Sequence, residues 1–307
     1  MLLTDILELF LSTFRRNEQD VVNLYNTFSR LMQITSGGDM LNFGYWDIDT
    51  QNPLQAQYTL SNMIGEFASL KTARTLIDAG SGYSAPALQW KSQYNSLEII
   101  CININLEQLK TAAAGAALKL NNKKMERVIV SSKVNNSKNH SILHINATST
   151  MLPIRNKSID RVIAFESAQH FKPLIQFVQE SNRVLRQKGL LVMAIPVITN
   201  GSFLSLPLFA KLGILSVTWA SEHYKLKSVI SMVKSHGFEI KEIKYIGSSV
   251  YEPLARYYID NREKLKNIII AEYPRFLETI LYRSILKMKA ASNQGIIEYI
   301  LLKAEKT

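Results

Sequence analysis

Apolar and polar positions change rhythm along this chain, and from residue 75 onward the change is regular. Short apolar runs closed by turn residues alternate with stretches whose apolar positions recur every three to four residues. Thr75–Ala79, Leu97–Asn103, Ile142–Asn146, Ile159–Phe165 and Leu190–Pro196 predict five strands. Leu106, Leu109, Ala113 and Ala117 share a helical face after the second strand, and Leu174 to Leu185 predicts a helix before the fifth. Continuous apolar runs, unlike alternating ones, belong to strands covered on both faces. Strand and helix in alternation therefore predict an α/β fold with a doubly wound parallel sheet. Ligands of such sheets bind outside the carboxyl ends of the strands.

The two ends of the chain read differently. Residues 1 to about 72 have helical spacing, interrupted by the aromatic link Leu41-Asn42-Phe43-Gly44-Tyr45-Trp46. After the fifth strand come helical patterns, then an apolar run from Phe238 to Ile246 behind His236-Gly237. A helical insertion from about Pro253 to Ala291 precedes a last apolar run, Ile296 to Leu302. Such a late pair of strands, joined by a long connection, suits antiparallel pairing at one sheet edge. The expected organisation is an N-terminal helical lid over 1–72 and a sheet domain over 73–307. Helical caps at about 198–232 and 251–292 complete that lid above the strand-end crevice.

Composition narrows the function classes. The chain has 307 residues, 47% of them hydrophobic and 20% charged, an ordinary globular balance. One cysteine, Cys101, excludes an internal disulfide framework and a cysteine-based zinc site, and fits a reducing, cytoplasmic location. The formal charge of +11 raises the question of nucleic acid. Lys123, Lys124, Lys225, Lys227, Lys264 and Lys266 are interleaved with acids and form no arginine-rich block, so a solvated basic surface is the better reading. DNA is not an expected partner, and RNA is a weak one. The longest uncharged stretch, Gly189 to Ala210, is broken by Pro196, Asn200-Gly201 and Pro207, too soon for a membrane-spanning helix. Ser131 to Asn139 reads as a polar surface excursion.

The chemistry sits where predicted strands end. The first strand runs into Asp78-Ala79-Gly80-Ser81-Gly82, with two glycines one residue apart. Glycine has no Cβ, so the backbone there can take positive φ and lie close against a ligand. The second strand ends in Cys101-Ile102-Asn103-Ile104-Asn105, with Glu107-Gln108-Leu109 behind it. The third ends in Ile145-Asn146-Ala147, followed by Leu152-Pro153 and Ser158-Ile159-Asp160. The fourth gives Phe165-Glu166-Ser167-Ala168-Gln169-His170-Phe171. Any one segment is a weak signal, but their order and spacing are specific.

Together these segments resemble the class I S-adenosylmethionine-dependent methyltransferases, and among them the small-molecule branch acting on quinones, sterols, tocopherols, sugars and polyketides. The resemblance runs over about residues 41 to 196 and more loosely to the end of the chain. It implies a Rossmann-like methyltransferase sheet with a late antiparallel strand and helical lid. S-adenosylmethionine is then the cofactor and S-adenosylhomocysteine the product. By the resemblance, Gly80, Ser81 and Gly82 pass under the methionine and ribose portion, and Asp78 shapes that turn and reaches the amino acid moiety. Ser84 stands where the family has a third glycine. Asn103, beside Ile104, replaces the usual acid that accepts from the ribose hydroxyls. Asn146 replaces the aspartate that meets the adenine amino group, and the Ala147 N–H meets the ring. An amide oxygen can accept at both places, with weaker ribose binding expected without the charge.

A proton acceptor is needed when the methylated atom is a hydroxyl or an activated carbon. His170 is the first candidate, since its unperturbed pKa of about 6.5 lies close to working pH. Glu166 can bind the cofactor, orient His170 or act as base itself, and His223 is a second-line candidate. Phe43, Tyr45 and Trp46 match an aromatic segment that can close over a sulfonium by cation–π contact, wall the substrate cavity, or simply join helices. Phe203, Leu204, Leu206, Leu208, Phe209, Leu212, Ile214 and Leu215 are too apolar for an exposed loop. They suit a pocket for a lipophilic acceptor, a homodimer face or a membrane-facing patch. No Asn-Pro-Pro-Tyr or Asp-Pro-Pro-Tyr follows the fourth strand, and no Pro-Cys occurs. The expected reaction is methyl transfer to an oxygen or carbon of a small lipophilic molecule, without a metal. RNA methylation and non-catalytic cofactor binding are the alternatives.

Overall fold

A computed structural model describes residues 17–119, 128–129, 142–199 and 224–307. Two long helices come first, α1 (Glu18–Ser36) and α2 (Pro53–Phe67). Then follow β1 (Thr75–Ala79), α3 (Ala85–Gln93), β2 (Glu98–Asn103), α4 (Leu106–Lys119), β3 (Val128–Ile129) and β4 (Ile142–Asn146). The middle of the chain gives β5 (Ile159–Phe165), α5 (Leu174–Val184), β6 (Leu185–Ile198) and α6 (Leu226–Ser235). After β7 (Phe238–Tyr245) come α7 (Tyr251–Asp260), α8 (Arg262–Glu272), α9 (Arg275–Asn293) and β8 (Ile297–Lys306).

One sheet carries all eight strands, in the order β3-β4-β2-β1-β5-β6-β8-β7. Pairing is parallel from β3 through β6, with Asp78 opposite Cys101 on one side and Ile163 on the other. Backbone bonds fix the sense of β8. Ile246 N–H donates to Tyr299 O, near the end of β7 and the start of β8, and Thr307 N–H donates to Gly237 O at their other ends. Thr199 N–H, just past β6, donates to Ile296 O, just before β8. The last strand therefore runs antiparallel to both neighbours, as the late apolar run predicted. This is the Rossmann-like methyltransferase sheet. The chain leaves β1 toward β2 and returns on the other side as β5, so the order reverses between β1 and β5. In open α/β sheets that reversal opens a crevice at the strand ends.

The largest differences from the pattern lie at β6, β8 and β3. Strand β6 starts at Leu185, five residues before the apolar run, because Leu185 pairs with Ile159 ahead of an irregularity at Ile159/Arg161. Arg186 and Lys188 are exposed there, so side-chain polarity hid a paired backbone. Strand β8 runs on to Lys306, whose buried ammonium donates to Asn182 O and Leu185 O. The short β3 pairs with His144 and Ile145, and its apolar run, Val128-Ile129-Val130, is too brief to have been read as a strand.

Of the described residues, one compact unit takes those up to Leu60, Pro196 to Ser228 and Tyr245 to Ile300. The other takes Ser61 to Ile195, Val229 to Lys244 and Leu301 to Thr307. In the first, Leu31, Ala255, Tyr258, Leu265, Ile269 and Ile285 form a buried cluster. Arg30 holds Glu272 through two bonds of 2.9 and 2.8 Å. The second is organised on the sheet. Leu76, Ile77, Ile99, Val162, Ile163 and Leu191 are fully buried, each worth about 1.5–3 kcal/mol of apolar transfer. Helix α5 turns Leu174, Phe177, Val178, Ser181 and Val184 inward at helical spacing. Trp90 is fully buried on α3, and its indole N–H donates to Ser61 O at 2.8 Å.

Candidate active site

Four loops, after β1, β2, β4 and β5, are knitted together at the carboxyl end of the sheet. Gly80 and Ser81 N–H both donate to Ile102 O, at 2.7 and 3.1 Å. Asn103 Nδ2 donates to Gly82 O at 3.3 Å and to Gln108 Oε1 at 2.9 Å. Asn146 Nδ2 donates to Asn103 O and Ile104 O, both at 2.9 Å. Ser167 Oγ donates to Ala79 O at 2.5 Å, tying the β5 loop to the β1 loop. Asp78, Gly80, Ser81, Gly82, Asn103, Ile104, Asn146, Ala147, Glu166 and His170 thus lie on one connected set of loops.

The turn after β1 needs its glycines for two different reasons. Gly80 has φ +76°, and a Cβ on it would stand 2.4 Å from Ser167 Cβ. Position 80 is closed to any side chain by both conformation and contact. Gly82 has φ +54°, and a Cβ there would meet nothing within 4 Å, so its face is open. Ser84, where a third glycine was the family pattern, keeps the left-handed conformation at φ +57° and opens α3 without a side-chain cap. The backbone path is retained although the residue has changed.

Asp78 is 2% exposed, and its Oδ2 has no hydrogen-bond partner among the described residues. Burial pushes its carboxyl up to about 7. A carboxylate in that position is stabilised by an incoming cationic group, such as an amino acid ammonium. Gln169 is also buried. Its Nε2 donates to Glu166 O at 2.6 Å, and its Oε1 has no partner among the described residues. Both orphaned atoms want a ligand, and the open face of Gly82 leaves room for one, so these residues fit an adenosyl amino acid.

The β5 loop holds the two base candidates. Glu166 sits at φ +50°, a left-handed conformation that is costly for a non-glycine residue. Its N–H donates to Ala194 O at 2.9 Å, and the Gln169 and Ser167 bonds hold the turn around it. His170 is half-buried at the end of a 3-10 turn, with its N–H donating to Ser167 O at 2.9 Å. Phe171 follows, its ring 4.7 Å from that of Phe177. A different histidine, His144 on β4, is fully buried, and burial pushes it down to about 4, so it is a neutral core residue near pH 7.

The expected Ala147 contact meets a competitor. Its N–H already donates to Asn103 O, at a long 3.2 Å, so an adenine ring would have to share that hydrogen. Tyr45 belongs to the other compact unit, where its N–H donates to Ala56 O at 2.9 Å. In that unit Phe43 packs edge-on against Tyr251 and Tyr299, and Trp46 lies 5.7 Å from Tyr257. His223 and the apolar segment 203–215 lie outside the described residues. Ser167, Gln169 and Gln108 carry contacts that no sequence signal singled out.

The family described as methyltransferase domain matches residues 77–193, from β1 to β6. Residues 77–193 are thus similar to a methyltransferase domain. Erythromycin 3''-O-methyltransferase of Saccharopolyspora erythraea is 24% identical over 169 residues, 55% of this chain and 50% of that protein. The chain thus spans about half the length of this curated relative. Among solved structures, the cyclopropane synthase MmaA2 from Mycobacterium tuberculosis superposes with a TM-score of 0.73 at 15% identity, over 97% of this chain and 98% of that one. The [4+2]-cyclase SpnF gives 0.70 at 18% identity, over 94% and 96%. Geranyl diphosphate C-methyltransferase from Streptomyces coelicolor A3(2), in complex with S-adenosyl-L-homocysteine, gives 0.68 at 10% identity, over 94% and 98%. The matched residues contain all four knitted loops.

Proposed function

We propose that this protein transfers a methyl group from S-adenosylmethionine to an oxygen or carbon of a small lipophilic molecule. The observation that carries the proposal is the buried, unpartnered carboxyl of Asp78 beside the open face of Gly82, inside a methyltransferase domain. Asp78, Gly80, Ser81 and Gly82 hold the amino acid and ribose end of the cofactor. Asn103 accepts from the ribose, Asn146 from the adenine amino group, and Ile104, Ala147 and Tyr45 complete the contacts. Bound there, the cofactor supplies a sulfonium methyl, an electrophile that needs an acceptor held in line. His170 or Glu166 removes the acceptor's proton, the strained turn at Glu166 fixing both side chains' starting points. Residues 1–72 and the insertions at about 198–232 and 251–292 act as the lid that excludes water. The similarity to an erythromycin 3''-O-methyltransferase and a geranyl diphosphate C-methyltransferase supports a small-molecule acceptor.

The segment 203–215 is assigned to acceptor binding, with dimer and membrane contact as its other uses, and the protein to the cytoplasm. No described helix is long and apolar enough to cross a membrane. A second reading, cofactor binding without methyl transfer, is favoured by the similarity to a [4+2]-cyclase, because one fold hosts several chemistries. Incubation with methyl-labelled S-adenosylmethionine and a cell extract separates the two. Label in an organic-soluble product supports methylation, and tight calorimetric binding without labelled product supports the second reading. Label in RNA instead, with steep salt dependence, would point to the basic surface. Absence of any binding defeats all three.

A further inference from the structure

Resting on the cofactor reading above, the two asparagines offer more than a neutral substitute for acids. The amide hydrogens of Asn146 face two backbone carbonyl oxygens, which only accept, so its Nδ2 must point to them and its Oδ1 away. Asn103 is oriented in the same way, since Gly82 O also only accepts and Gln108 Oε1 takes the shorter bond. Among the described residues, neither amide oxygen has a hydrogen-bond donor. Gln108 is placed for this task by the start of α4. Asn105 Oδ1 accepts from the N–H of Glu107 and of Gln108, at 3.1 and 3.2 Å, which sets Gln108 one turn into the helix and back over Asn103. We propose that Gln108 and the carbonyl oxygens of Gly82, Asn103 and Ile104 lock Asn103 and Asn146 with only their amide oxygens available. The nucleoside is then read by two oriented neutral acceptors, and Gln108 is a positioning residue for the ribose.

The arrangement has a consequence opposite to the family pattern. An aspartate at 146 has no hydrogen to give to either carbonyl and would set a negative charge 2.9 Å from both. Restoring the usual acid therefore weakens the site instead of improving it. Calorimetry with S-adenosylhomocysteine, and with its 2',3'-dideoxy analogue that lacks both ribose hydroxyls, tests the lock. Wild type should lose affinity when the hydroxyls are removed. Gln108→Leu should bind S-adenosylhomocysteine about tenfold more weakly, the worth of one hydrogen bond. Its loss for the dideoxy analogue should be under about twofold, a split that general loosening of α4 would not produce. Gln108→Glu, which keeps an acceptor for Asn103, should recover most of the affinity. Asn146→Asp should bind S-adenosylhomocysteine at least about tenfold more weakly. A thermal melt shows whether that variant still folds, and the Gln108 arm is independent of it. Equal losses for both ligands in Gln108→Leu, or tighter binding by Asn146→Asp, would overturn the lock while leaving the cofactor reading intact. Failure of wild type to bind S-adenosylhomocysteine would instead remove the cofactor reading itself.

Discussion

The loops after β2 and β4 differ from those after β1 and β5 in how they treat their polar groups. In the first pair nearly every donor is matched: Asn103 to Gln108 and Gly82, Asn146 to two carbonyls, Ala147 to Asn103. Among the described residues, the amide oxygens of Asn103 and Asn146 are left over. In the second pair three groups are strained or orphaned. Asp78 is buried without a partner for Oδ2, Gln169 Oε1 likewise, and Glu166 has a left-handed backbone. A folded protein keeps such costs only where its surroundings over-determine them, and they gather where a ligand or a reaction makes them useful. On the proposed function, the paired loops would recognise the nucleoside and the strained loops would act on charge.

Breaking the contact between the strained loops should have the largest effect. Gly80→Ala puts a Cβ 2.4 Å from Ser167 Cβ in a left-handed turn, so both the β1 and β5 loops must move. Cofactor affinity should fall by at least about 100-fold, with about 2–4 kcal/mol of stability lost to overpacking and backbone strain. Isothermal calorimetry and chemical denaturation measure the two. Wild-type binding by this variant would show that the Ser167–Gly80 contact yields easily and does not hold the site.

How much of this was legible beforehand depends on what kind of fact is asked for. Strands β1, β4 and β5 have the residues expected because their apolar runs stop abruptly at turn residues. The ends of β6 and β8 were hidden by Arg186, Lys188, Lys303 and Lys306, whose charges say nothing about a paired backbone. In the site, glycine at 80 and 82 could be read as freedom of φ. The second reason for Gly80, the side chain of Ser167 from a residue 87 positions later, could not. The same holds for the asparagines. Their residue type is visible in the chain, but which amide atom is left available depends on carbonyls of other loops.

The strained side of the comparison is sharpened by removing the His170 imidazole. His170→Ala should reduce turnover by about 100-fold or more, the usual scale for general base catalysis, with cofactor affinity changed less than about twofold. Affinity and turnover falling together would make His170 a structural member of the β5 turn.

Protonation of Asp78 distinguishes the empty site from the filled one. Its folded carboxyl lies at about 7, above an ordinary unfolded value near 3.8. A raised pKa contributes stability that is full below about pH 4 and lost as pH rises through 7. Asp78→Asn should therefore be the more stable protein at pH 8, by up to about 4 kcal/mol, and about equal to wild type at pH 4. Denaturation at the two pH values reads this directly. Binding of a cationic amino acid group should restore the charge, so cofactor affinity should rise with pH through 7 and a proton should be released. Calorimetry in buffers of different ionisation heat counts that proton. A flat pH profile in both experiments would mean that Asp78 is already ionised in the free protein.

The smallest effect belongs to the one glycine position that the chain has replaced. Ser84 keeps φ +57°, which costs a residue with a Cβ about 1–2 kcal/mol relative to glycine. Its hydroxyl returns little: it donates to Ser81 Oγ at 3.3 Å, a long bond between two groups that can each turn elsewhere. Ser84→Gly should therefore relax the turn without moving it. Against the relief stands the greater freedom of glycine in the unfolded chain, worth about 0.4–1 kcal/mol. The balance leaves a stabilisation of about 0.5 kcal/mol, and cofactor affinity within about twofold. A clear loss of affinity would give the Ser84 hydroxyl a place among the ligand contacts, and would make this position part of recognition after all.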